Sequence, residues 1–183
     1  MASKLRVDSI LPVDGAPTSG GGGIIQVVSA TKTDAALVED ISAGSIGSSN
    51  VSGLDLSITP KFSTSKILLM VSIYVGHEGN VPRFGFAIYK GGSALTGAIG
   101  DTDGDRVRVT GMTNQSGGSS YMAPLTANHL DSPITTSAIT YGIRLFNGSN
   151  ATQKLYINRS HTATDTARFA RPVSSFTAME VSA

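Results

Sequence analysis

Asp101, Asp103 and Asp105 stand at alternate positions in the run Asp101-Thr102-Asp103-Gly104-Asp105, the arrangement that opens a calcium-binding loop. The rest of such a loop is missing. Its sixth position, where glycine makes the sharp turn, is Arg106, and its twelfth, where a bidentate glutamate closes the coordination sphere, is Met112. An acidic turn between strands is the better reading. His77, His129 and His161 are too far apart in sequence to set two imidazoles on one metal by local geometry. Many serines are present, but none sits in a Gly-x-Ser-x-Gly elbow, and Glu78 and Glu180 do not read as a general acid/base pair. The run Gly20-Gly21-Gly22-Gly23 lacks the Lys and Ser/Thr of a phosphate-binding loop and precedes a strand, so it reads as a flexible joint. The sequence therefore assigns no catalytic residue, no metal ligand and no cofactor, and points to a protein that is not an enzyme.

The elements around these residues are short. With 183 residues the chain suits one core and a short appendage. Only 15% of residues are charged, the net charge is +1, and the basic residues are scattered singly, which argues against nucleic acid as a partner. The absence of cysteine leaves durability to packing or oligomerisation. The longest apolar run, residues 67–75, is about half the ~20 residues of a membrane helix, so no membrane span is expected. Asp8, Ser9, Pro12 and Asp14 break up the apolar residues near the N-terminus, so no signal peptide is expected either.

Residues 1–23 form one zone and residues 24–183 another. In the first, Leu5, Val7, Ile10 and Leu11 precede Pro12, Pro17 and the glycine run, as in an extended anchor ending in a hinge. Four apolar side chains cannot form a core, so they are expected to dock, preferably on another chain. From Ile24 onward, period-2 patterns alternate with Gly, Ser, Asn, Asp and Pro clusters about every ten residues, the signature of a β-sandwich or barrel. Strands are predicted over 24–30, 54–59, 66–75, 83–89, 106–110, 139–146, 154–158 and 174–181. Residues 34–41, with Leu37, Val38 and Ile41 on one side, are read as a short helical turn, and residues 111–120 as an exposed polar loop.

The predicted strand 66–75 differs from the others. Ile67, Leu69, Val71, Ile73 and Val75 fill one face, and Leu68, Met70 and Tyr74 occupy most of the other. A two-layer sandwich covers only one face of each sheet, so the second face is expected to be buried by a sister subunit. The alternative is a cover formed by the loop between Gly91 and Leu130. The candidate oligomer and core residues are thus Ile67, Leu68, Leu69, Met70, Val71, Ile73 and Tyr74. Tyr74, Tyr89, Tyr121 and Tyr156 offer rings on which a sugar could stack.

The opening Ser3-Lys4-Leu5-Arg6-Val7-Asp8-Ser9-Ile10, the joint Gly21-Gly22-Gly23-Ile24-Ile25-Gln26-Val27-Val28, the phrases Leu56-Ser57-Ile58-Thr59-Pro60 and Ser65-Lys66-Ile67-Leu68, and the closing Thr177-Ala178-Met179-Glu180-Val181 carry a resemblance. So do Leu130-Asp131-Ser132-Pro133 and Tyr156-Ile157-Asn158-Arg159-Ser160. Together they resemble small virion structural proteins of tailed bacteriophages, of the marine and cyanobacterial type. The resemblance implies a short tail fibre or appendage with a jelly-roll-like antiparallel β-sandwich body, similar to the C1q and tumour-necrosis-factor architecture, that assembles as a homotrimer. It also implies that residues 1–23 attach to other virion proteins and that the body can adhere to a host-surface glycan. The location would be the virion, assembled in the host cytoplasm. A head-decoration protein without receptor binding is the second station the resemblance allows.

Overall fold

The computed structural model describes residues 23–79, 83–114 and 118–182. Twelve strands and one 3-10 turn are found among them: β1 (Ile24–Lys32), β2 (Ala36–Ile41), β3 (Ser45–Ile46), β4 (Leu56–Ile58), β5 (Lys66–His77), β6 (Arg83–Lys90), β7 (Ser93–Ala94), the turn Thr96–Ala98, β8 (Gly111–Asn114), β9 (Met122–Asp131), β10 (Ile139–Asn147), β11 (Gln153–Ile157) and β12 (Ser174–Val181). All strand pairs are antiparallel. The fold is an all-β, jelly-roll-like sandwich. One sheet runs β1-β12-β5-β9, and β11 and β2 continue it from the far end of β5. The second sheet sets β3 and β4 on one edge of β10, β6 on the other, and β7 and β8 beyond β6. The chain crosses between sheets at β2–β3, β4–β5, β5–β6, β8–β9, β9–β10 and β10–β11.

Period-2 patterning explains why the layers close. In β5, Ile67, Leu69, Val71, Ile73 and Val75 are buried, and they meet Phe84, Phe86, Ile88, Ile143 and Leu145 of the second sheet in one core. Each fully buried side chain of this size contributes about 1.5–3 kcal/mol. Polar clasps seal the ends of the sandwich. At one end, Lys90 Nζ and the Tyr141 hydroxyl both donate to Asp131 Oδ2, at 2.8 and 2.5 Å, tying β6 and β10 to β9. At the other, Asn158 Nδ2 donates to the carbonyls of Lys32 (2.7 Å) and Asp34 (3.0 Å), while Asn158 Oδ1 accepts from the Ser174 hydroxyl.

Four sequence expectations are corrected. Residues 36–41 form a strand rather than a helical turn, because β11 supplies a ladder on which Leu37 points outward and Ile41 inward. Residues 106–110 are irregular, since Val107 faces no core, and the ladder to β6 begins only at Gly111. That places β8 inside the segment read as a polar loop. The stretch between Gly91 and Leu130 contains β9, which pairs along the edge of β5 and does not fold over its outer face. The anchor residues Leu5, Val7, Ile10 and Leu11 lie outside the described residues.

Candidate association surface

The two faces of β5 have different surroundings. Ile67, Leu69, Val71 and Ile73 lie in the core, whereas Leu68, Met70 and Tyr74 point away from it. Registry then determines what lies beside the outward set. Val27 of β1 is opposite Met179 of β12, Met179 is opposite Leu68, and Leu68 is opposite Leu130 of β9. Four apolar side chains thus form one row across four strands, spanning about 14 Å at ~4.8 Å per strand. Val27 is 54% exposed and Leu130 48%. Ile24 and Val181, themselves paired, extend the row toward the end at which the chain enters the sandwich, and Met70 extends it the other way.

Polarity returns one row further along. Ser29, Thr177, Met70 and Asn128 are in register, followed by Thr31, Ser175, Ser72 and Thr126. The apolar zone is therefore bounded by Ser and Thr on one side and by Lys66 on the other, an apolar centre with a polar rim that makes it a candidate for association. Phe62, 42% exposed, stands at the same end of the sandwich. Its loop is fixed by Glu180, whose buried carboxylate accepts from Lys61 N (2.7 Å), Phe62 N (3.4 Å) and Gln26 Nε2 (2.5 Å). These bonds are what make a buried carboxylate tolerable. At the opposite end of β5 the backbone at Arg159 and Ser160 crosses over Gly76, where an added Cβ would lie 2.1 Å from the Arg159 carbonyl oxygen.

The residues weighed for chemistry do not converge. His77 is buried against Phe84, His129 lies beside Gly97, and His161 Nδ1 is 2.7 Å from the Tyr156 hydroxyl. Asp103 is held by Arg106 at 2.5 Å, and no group of three metal-ligating side chains occurs among the described residues. Burial foremost, and then the bond to Asp131, push the ionisation of Tyr141 far above its ordinary range, so this phenol stays protonated as a donor. Tyr89 carries the Arg144 guanidinium 4.1 Å above its ring. No helix among the described residues is long and apolar enough to cross a membrane.

Sequence reasoning found the outward members of β5 and missed Val27, Met179 and Leu130. Their signal lies in register, which links residues far apart in sequence and is invisible to a local window. Comparison of the chain with models of known families and with curated proteins gives no match.

Proposed function

We propose that this chain is a non-enzymatic structural protein of a bacteriophage virion, a short tail fibre that trimerises through the outer face of the β1-β12-β5-β9 sheet. Residues 1–23 attach the trimer to other virion proteins, and the body adheres to a host-surface glycan. The observation that supports this most is the registered row Val27–Met179–Leu68–Leu130 with its Ser/Thr border. A continuous exposed patch of this kind marks an interaction site on a soluble protein. The resemblance of the N-terminal phrases to phage virion proteins supports the assignment to a particle.

Light scattering of the full-length chain at micromolar concentration tests the reading. The expected mass is three times the 18.8 kDa of one chain. Leu68→Asp would place a charge at the centre of the interface, costing several kcal/mol, and the expected product is a folded monomer with an unchanged far-ultraviolet circular dichroism spectrum. Ser72→Asp, in the polar border, should leave the trimer intact. A wild-type monomer would end the proposal.

A further inference from the structure

The sandwich has an open seam on the side of β2. There β2 belongs to the first sheet, while residues 47–51 hang on β10 of the second through Gly47 N to Leu145 O (2.9 Å) and Val51 N to Ile143 O (2.8 Å). Between them lies a pocket of about 210 Å³ with Leu37, Val38, Val51 and Ile157 as apolar lining and Lys32 and Asn50 as polar lining. That is below the roughly 300–1,000 Å³ of sites for drug-sized ligands, and it suits a single small unit.

Lys32 is the unusual member. Its side chain is only 8% exposed, yet its ammonium has one acceptor among the described residues, Asp34 Oδ2 at 2.7 Å. An ammonium has three donors, and burying them without acceptors is costly. Asp34 is 70% exposed and reaches the pocket only through its bond to Lys32, so the pair leaves a carboxylate open to solvent beside a buried ammonium with donors to spare. Asn158 grips the carbonyls of both residues, so the pair is held in place before anything binds.

We propose that this pocket is a subsite for one neutral pyranose unit. A ring hydroxyl accepts a hydrogen bond from Lys32 and donates one to Asp34, and the ring's C–H face lies against Val38 and Val51. A neutral sugar is favoured over an acidic one because the Asp34 carboxylate already balances the ammonium and repels a second anion. Asp34 is kept ionised by its hydrogen bond to Lys32, which holds its carboxyl below the usual value. For its biological role the inference rests on the adhesive part of the reading above; its geometry does not depend on trimerisation.

The test is amide chemical-shift mapping of the isotope-labelled full-length protein, titrated with glucose, galactose, mannose and N-acetylglucosamine, and in parallel with glucuronate and inorganic phosphate. At least one neutral sugar should shift the amides of Lys32, Leu37 and Val51 with a Kd of about 1–10 mM. Lys32→Met should weaken it by tenfold or more, about 1.4 kcal/mol by the same relation. Asp34→Asn, which removes the charge but keeps an oxygen that can accept from Lys32, should do the same and keeps the test valid if Lys32→Met misfolds. Absence of shifts with every neutral sugar, equal shifts in wild type and Asp34→Asn, or tighter binding of glucuronate or phosphate would each overturn the subsite. Sugar binding by a wild-type monomer would uphold the subsite while removing the trimer.

Discussion

Tyr141 shows how one buried hydroxyl joins two layers. It is wholly buried, faces Lys90 across the β6–β10 ladder, and shares with it the acceptor Asp131 on the opposite sheet. Tyr141→Phe should cost about 1.5–3 kcal/mol in urea denaturation, the usual worth of a hydrogen bond to a charged group. The pH dependence has a definite sign. The folded-state ionisation of Tyr141 is raised, first by burial and then by Asp131, above the ordinary value of 10.0. Below that value the phenol is protonated in both states and the contribution to stability is complete. Above it the unfolded chain releases the proton while the folded chain retains it, so stability falls as pH rises. Wild type should therefore lose stability between about pH 9 and pH 11 more steeply than Tyr141→Phe, and parallel curves for the two proteins would refute the assignment.

The loop joining β9 to β10 contains Ile134, which is 80% exposed and has φ 54°. For a β-branched residue the left-handed region costs about 1–2 kcal/mol, and asparagine tolerates it better. Ile134→Asn should therefore stabilise the body by about 1 kcal/mol, raising the melting temperature by roughly 2–4 °C. The melt is best taken in the Leu68→Asp background, where association does not contribute; an unchanged or lower melting temperature would show that the strain is compensated. The same loop follows the strand that was hardest to read. Strand β5 was legible because five large apolar residues alternate along it. Strand β9 was not: its inward set is Ala123, Leu125, Ala127, His129 and Asp131, only one of them a large apolar residue, and Pro124 argues against a central strand. It forms because β5 offers a ten-residue edge, and proline is acceptable on an edge strand. In β2 a short apolar cluster fitted either period, and tertiary pairing with β11 decided it. The candidate surface was correspondingly half legible, its β5 members by alternation and its remaining members only by registry.

At the scale of the molecule, the apolar row occupies one end of one sheet, and Ile24, the first residue of β1, lies beside it. Residues 1–22 precede that point, with the glycine run directly before β1. In the proposed assembly three such segments leave from neighbouring positions. Once one has docked, the others do so at high effective concentration, so each can bind weakly while the whole stays attached. Deleting residues 1–22 should therefore leave the light-scattering mass of the body at three chains and abolish incorporation into particles in a complementation assay. Leu68→Asp should have the converse effect, an intact segment on a monomer, and incorporation should fall by about 10²-fold or more because avidity is lost. If the truncated body instead scattered as a monomer, residues 1–22 would be the oligomerising element, and the row Val27–Met179–Leu68–Leu130 would need a different occupant.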